Sequence, residues 1–314
     1  MIDRLHRKAR EAWHRRACRD VLATPAIVPL DDRVILFSMI GTRVLLPYLV
    51  AVKSLHAELG RGRVVVLDDG TLTAADKAIL THHLGGPEIR SIHDVDCGPC
   101  PRGGTWERLL TLLDLRRRDY VIQLDSDTVT VGAVPEVAEA VRRQLPFTLA
   151  GDESAATAGM MKLSDFRARF HPEGAVDPAS AVHIQKAIEA NFDRYPDAER
   201  HRYIRGCSGF AGFPAGGPGR EAAEAFSRNA EAIVGPQRWA EWGTEQVTSN
   251  FLIANEPGAV ALPARRYMNY WLQAPAPDTC FIHFLGTNRF AGSLYLDTSR
   301  QAIARLHEPM RLAG

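Results

Sequence analysis

The sequence predicts an α/β fold: an open, mostly parallel, Rossmann-like sheet with helices on both faces. Three observations carry this expectation. Apolar runs without polar alternation, Val34–Ile40 and Tyr120–Leu124 among them, are what strands buried on both faces require. They alternate with segments of helical length, of which Leu45–Leu59 is the clearest, and such alternation marks strand–helix–strand units. Turn residues punctuate the runs, as Asp69-Gly70 does after "RVVVL".

The elements follow in order. Residues 1–20 place Ile2, Leu5, Ala9, Trp13 and Ala17 at steps of three and four, which predicts a helix with one narrow apolar stripe. The rest of that helix is basic: Arg4, Arg7, Lys8, Arg10, Arg15, Arg16 and Arg19 outnumber Asp3, Glu11 and Asp20 by four charges. Such a face is open to two uses, packing on the domain or attraction to an anionic membrane surface. From Arg33 the pattern reads strand, helix, strand, followed by a helix at Ala74–His83, a short strand at Glu88–His93, the helix "TWERLLTLLDLRRR" and the strand "YVIQL". After Pro146 come the strand "FTLAGD", a polar and mostly helical region to about Arg205, the segment "GCSGFAGF", a helix pair and short strands near Val260 and Phe281. No internal repeat or linker interrupts the chain, so a soft boundary near residue 150 separates two halves of one compact unit.

Composition limits the partners. The 314 residues, 46% hydrophobic and 24% charged, suffice for a large buried core. A formal charge of +1 supplies no bulk field for gripping nucleic acid. Five cysteines spread over this length argue against a secreted disulfide scaffold, and no apolar stretch of signal-peptide or transmembrane length stands near the start, so the expected location is cytoplasmic.

Ligands of open α/β sheets lie beyond the carboxyl ends of the strands. This directs attention to Phe37 and Ser38, to Asp69, and above all to Asp125-Ser126-Asp127, which follows "YVIQL" directly. Two carboxylates spaced by one residue at a strand end can share one divalent cation whose other positions are filled by phosphate oxygens and water. An Asp-x-Asp turn that caps a helix or faces solvent gives the same letters, so the tripeptide alone leaves both readings open.

Other segments extend the pattern. "QLDSDT" resembles the strand-end motif of glycosyltransferase family eight, the glycogenin and lipopolysaccharide galactosyltransferase group, and Arg108 stands seventeen residues before Asp125, where that family has an Arg near the donor diphosphate. "HFLGTNRF" is similar to the family's His-x-x-Gly-x-x-Lys signature: His283 and Gly286 match, Arg289 replaces Lys, and Phe290-Ala291 stands where the family has Pro-Trp. Asp152 falls where the family has an acid near the donor sugar. Gly206–Phe210 resembles its Asn-Ser-Gly turn with Cys207 in place of Asn, and Glu245-Gln246 with Asn250 resembles its Asp-Gln-x-x-x-Asn segment. Read without the family, these are a strand-end cap, a tight turn and a solvated helix face.

The resemblance implies a GT-A fold with a basic extension (1–30), a nucleotide-sugar-binding half (31–150) and an acceptor-binding half (151–314). It implies a hexosyltransferase using a UDP-sugar donor with retention, and Mn²⁺ or Mg²⁺ held by Asp125, Asp127 and His283. Arg108, Ser126, Gly286 and Arg289 then serve the donor, and Asp152, Glu245 and Gln246 the transferred sugar; the acceptor, whether glycan, lipid or protein, is not specified. Three other readings compete. "DSDTV" satisfies the first motif of haloacid-dehalogenase phosphatases, which use the first Asp as nucleophile. Cys97-Gly98-Pro99-Cys100 is the thioredoxin redox motif, although Pro101 and Gly103-Gly104 delay the helix that would lower its thiol pKa. A nucleotide-sugar-binding protein without turnover is the third.

Overall fold

The computed structural model of the protein describes residues 2–180, 182–286 and 288–308. Its strands are β1 (Val34–Ile40), β2 (Arg63–Asp68), β3 (Glu88–Ser91), β4 (Tyr120–Leu124), β5 (Thr128–Thr130), β6 (Phe147–Ala150), β7 (Met161–Lys162), β8 (Arg202–Tyr203), β9 (Gly206–Phe213), β10 (Val260–Leu262), β11 (Tyr267–Asn269) and β12 (Phe281–His283). Contacts divide the chain into two units. One comprises Met1–His93, Ile122–Glu139 and Pro263–Gly314, the other Asp94–Val121 and Ala140–Leu262. Each unit therefore draws on residues from both sides of position 150.

In the first unit the strand order is β4-β1-β2-β3, with β1 parallel to β2 from Ile35↔Arg63 to Ile40↔Asp68 and β2 parallel to β3. Every residue of β1 except Met39 is buried, the outcome that an uninterrupted apolar run imposes on a parallel strand. The crossover helix Leu45–Leu59 is buried almost all round and packs against β5 and the helix Leu294–Leu306. It stops at Gly60, whose left-handed backbone (φ 68°) lets its N–H reach the His56 carbonyl at 2.8 Å. Thr73 and Asp76 form a reciprocal capping box at the start of the helix Ala74–His83. A second, three-stranded sheet of order β11-β12-β5 carries the C-terminal segment.

The N-terminal helix runs Ile2–Ala17, but its inner face differs from the expected stripe. Trp13 is 60% exposed, whereas His14, Ala17 and the following Cys18 are buried. The side chains of Ile2 and Leu5 lie outside the described residues. A polar imidazole displaced the indole from the inner face because it finds a hydroxyl partner there: His14 Nε2 lies 3.0 Å from Ser299 Oγ.

In the second unit the strand order is β10-β6-β9-β4, with β10 parallel and β9 antiparallel to β6. Among the strands of these two orders, β1/β2, β2/β3 and β10/β6 pair in parallel and β6/β9 antiparallel. The segment resembling a turn, Gly206–Phe210, is instead part of an eight-residue buried strand. Glycine is needed there for close approach: a Cβ on Gly206 would lie 2.4 Å from Asn250 Oδ1, and one on Gly212 would lie 2.2 Å from the Phe147 ring. The polar region before β8 contains short helices at Glu153–Ala158, Leu163–Phe170 and Ile184–Glu189. The helices Arg220–Val234 and Thr244–Ala254 meet through Phe226 and Phe251, stacked at 4.1 Å.

Candidate functional site

The chain leaves β4 at Leu124 and enters β5 at Thr128, so Asp125, Ser126 and Asp127 form the corner between two sheets of the first unit. The Thr128 hydroxyl donates to the Asp125 carbonyl at 2.9 Å and tightens that corner. Strand β12 runs antiparallel to β5 with His283 opposite Thr128, and the Phe284 N–H donates to the Asp127 carbonyl at 2.8 Å. This register carries the imidazole across more than 150 residues of sequence to the two carboxylates. Nε2 of His283 lies 3.3 Å from Asp127 Oδ1 and 3.8 Å from Asp125 Oδ2. One ligand atom from each residue falls within 4.8 Å of the others, the one such group among the described residues.

The imidazole is aimed from behind. Its Nδ1 lies 3.0 Å from Oδ1 of buried Asn269, which faces His283 on the parallel neighbour β11. An amide oxygen only accepts, so Nδ1 carries a proton and Nε2 is the nitrogen that faces the carboxylates. Burial works against the charge on Asp127, but His283 and then Arg289 overcome it and hold its pKa below the usual carboxylate value. Arg289 Nη2 is 2.8 Å from Asp127 Oδ2, and its Nε donates to the Gly286 carbonyl at 3.0 Å. Gly286 has φ +41°, a left-handed bend suited to a residue without Cβ. Two carboxylates and one imidazole form a donor set that fits Mn²⁺ or Mg²⁺.

A second polar cluster is built in the second unit. Glu245, in the first turn of Thr244–Ala254, is buried, and its Oε2 accepts from Arg108 Nη2 (3.1 Å), Thr105 Oγ1 (3.0 Å) and Ser208 Oγ (3.2 Å). Arg108 Nη2 also lies 3.1 Å from Ser208 Oγ. Gln246 accepts from the Ser208 N–H at 3.2 Å and donates to Gln185 Oε1 at 3.3 Å, while Gln185 donates to buried Glu189 at 2.9 Å. Thr105 holds a left-handed backbone (φ 75°), a strained position for a β-branched residue.

No family model matches the chain, and no curated protein matches it. Solved structures do resemble it. The bifunctional glycosyltransferase WbbM, in its apo form, aligns over 89% of this chain at 14% identity with a TM-score of 0.51. The fold is of the GT-A glycosyltransferase type. This chain spans about half of WbbM, 51% of its length. Mouse xyloside xylosyltransferase 1 aligns over 82% of this chain and 98% of its own at 12% identity (TM-score 0.44). The galactosyltransferase LgtC, in complex with donor and acceptor sugar analogs, aligns over 88% and 98% at 11% identity (TM-score 0.49).

Within this GT-A fold the remaining sequence candidates are placed as follows. Phe37 is fully buried in β1, so its side chain is core. Ser38 donates to the Leu124 carbonyl at 2.6 Å and thereby holds β1 to the strand that ends at the Asp-Ser-Asp corner. Asp69 is exposed, and its Oδ1 accepts from the Thr71 N–H and hydroxyl in a local turn. Asp152 is the cap of Glu153–Ala158, its Oδ1 accepting from the Ala155 N–H at 2.7 Å. Glu245, by contrast, is no solvated face. Asn250 bonds Thr148 and the Gly206 carbonyl, a structural role inside the second unit. Asn269, Thr105 and Gln185 escaped the sequence reading; of these only Asn269 carried a signal, an amide in an otherwise apolar strand.

The thiols of Cys97 and Cys100 are buried, and burial pushes both pKa values up, that of Cys100 to about 11. A redox-active Cys-x-x-Cys needs the opposite shift.

Proposed function

We propose that the protein is a metal-dependent glycosyltransferase that moves a sugar with retention from a UDP-sugar to an acceptor hydroxyl. The observation that carries this reading is the convergence of Asp125, Asp127 and His283 on one point at a strand-end corner of a GT-A fold. A bound Mn²⁺ or Mg²⁺ supplies Lewis-acid neutralisation of the charge that develops on a departing diphosphate. Asp125, Asp127 and His283 would hold that ion, with Asn269 fixing the His283 tautomer. Arg289, tethered to Gly286 and Asp127, can offer further N–H donors to phosphate oxygens.

Retention is favoured by the state of the two carboxylates that could act as a base. Glu245 is buried on Arg108, Thr105 and Ser208, and Asp152 uses Oδ1 as a helix cap. Neither is set up as a strong general base for inversion. Glu245 and Gln246 are assigned to the transferred sugar, Arg108 to positioning Glu245.

Among the described residues no helix is long and apolar enough to cross a membrane. We place the protein in the cytoplasm, where exposed Trp13, with Arg16 one turn along the same helix, would meet an anionic membrane surface.

The deciding experiment is a turnover assay with a panel of nucleotide sugars and Mn²⁺, with NMR of the product. Donor consumption that EDTA abolishes supports the reading. Turnover untouched by EDTA would overturn the metal dependence, and a β-linked product from an α-linked donor would overturn retention alone.

A further inference from the structure

We propose that the N-terminal helix Ile2–Ala17 forms one wall of the donor site and that its Arg7 and Arg15, together with Arg43, bind the diphosphate of a nucleoside-diphosphate donor. The inference rests on the glycosyltransferase reading and extends it to residues outside every motif that supports that reading.

A cavity of about 360 Å³ adjoins the candidate metal corner, within the range of small-molecule sites. Ser126, Asp127 and Arg289 line it, as do Arg7, Arg15 and Arg43. The helix is fixed in this place. His14 stacks on Tyr295 at 3.7 Å and bonds Ser299, and Arg10 donates to the carbonyls of Phe290 and Ala291, the two residues that follow Arg289.

The charges of the walls are unequal. Arg43 pairs with Glu11 at 2.6 Å and Arg289 with Asp127 at 2.8 Å, whereas among the described residues Arg7 and Arg15 make no ion pair. Four guanidinium groups thus share the cavity lining with the carboxylates of Glu11 and Asp127, and a divalent ion would enlarge the positive surplus. An anion with charge on adjacent phosphoryl groups, growing as the sugar departs, is the ligand this distribution suits. Arginine's planar fork is also the side chain best matched to phosphate oxygens.

The test titrates Mn²⁺-loaded protein with UDP, inorganic pyrophosphate and uridine, comparing the parent with Arg7→Ala/Arg15→Ala and Arg7→Lys/Arg15→Lys. Affinity for UDP and for pyrophosphate should fall on the order of tenfold per arginine in the Ala variant, partly recover in the Lys variant, and lose part of its salt dependence. Mn²⁺ affinity read by EPR, uridine binding and the melting temperature should not change. Equal UDP and pyrophosphate affinities in parent and Ala variant would overturn the proposal, as would a parent that binds neither. A variant that loses only its binding to phosphatidylserine-containing vesicles would overturn it too, assigning the arginines to a membrane surface. A parent that binds pyrophosphate through these arginines yet transfers no sugar would uphold the anion site while removing the transferase reading.

Discussion

Asn269 Oδ1 accepts the Nδ1–H of His283 at 3.0 Å, across neighbouring strands of the small sheet, and this bond decides which imidazole nitrogen faces Asp125 and Asp127. A histidine so held keeps its metal-facing lone pair without rotating. Replacing such a partner typically weakens metal affinity about 10- to 100-fold. Asn269→Ala should therefore lower Mn²⁺ affinity by that order while the fold persists. Mn²⁺ titration followed by EPR, with circular dichroism as a control, measures it; an unchanged affinity would show that the Nδ1 partner is immaterial.

Asp127→Ala removes a proposed ligand outright. Turnover should be lost, several kcal/mol of transition-state charge stabilisation being the expected scale. Asp125→Ala should act in the same direction. Initial rates across a Mn²⁺ series check both variants, and recovery of full rate at any Mn²⁺ concentration would remove Asp127 from the ligand set.

Arg108 and Glu245 form an ion pair whose side chains are 7% and 1% exposed. Deleting one partner strands the other charge in the interior, at a cost of about 3–5 kcal/mol. Glu245→Ala should thus lower stability as well as activity, and Arg108→Met/Glu245→Leu should be more stable than Glu245→Ala. Urea unfolding of the three proteins decides the matter. If Glu245→Ala unfolds at the parental midpoint, the pair is not structural and its whole effect belongs to catalysis.

Cys97 and Cys100 should be dispensable. Their buried thiols, with raised pKa values, are poor nucleophiles near neutral pH. Cys97→Ser/Cys100→Ser should keep most sugar transfer, and iodoacetamide should label both residues far faster in urea than in the folded protein. Rapid labelling of the folded protein, with insulin-reducing activity that the double variant lacks, would restore the redox reading.

What the sequence disclosed depended on how far each signal reached along the chain. Val34–Ile40, Leu45–Leu59 and Tyr120–Leu124 were legible because their burial is written in consecutive residues, and the observed bounds are those of the apolar runs. The Asp125, Asp127 and His283 group was legible as spaced motifs, and the sheet register then joined them. The segment Gly206–Phe210 read as a turn because the glycines of its strand meet side chains, Asn250 and Phe147, that local sequence does not reveal. Trp13 and His14 exchanged faces for a similar reason: the hydroxyl that made the histidine the better inward residue belongs to Ser299, far along the chain. Asn269 stood out only as an amide among apolar residues, and its partner is set by the β11/β12 register.

That same His14 gives the last prediction, a pH dependence. Burial first, and the nearby Arg289 charge second, lower its pKa from 6.5 to about 4 in the folded chain. Its surroundings are Ser299, Cys18, Tyr295 and Phe290, with no carboxylate among these contacts to stabilise an imidazolium. Above the unfolded value the ring is neutral in both states and contributes nothing to the slope. Between 6.5 and about 4 the unfolded chain binds a proton that the folded chain refuses, so stability falls as pH falls through this window. The full loss is about 3 kcal/mol, reached near the folded value. His14→Gln keeps an amide able to bond Ser299 but cannot ionise, so its stability should decline less on acidification than that of the parent. Urea midpoints and slopes measured near neutrality and at about pH 5 give the difference between the two proteins, which cancels the other titrating groups. Parallel profiles for parent and variant would place the burden of acid sensitivity elsewhere and leave the helix Ile2–Ala17 docked by packing alone.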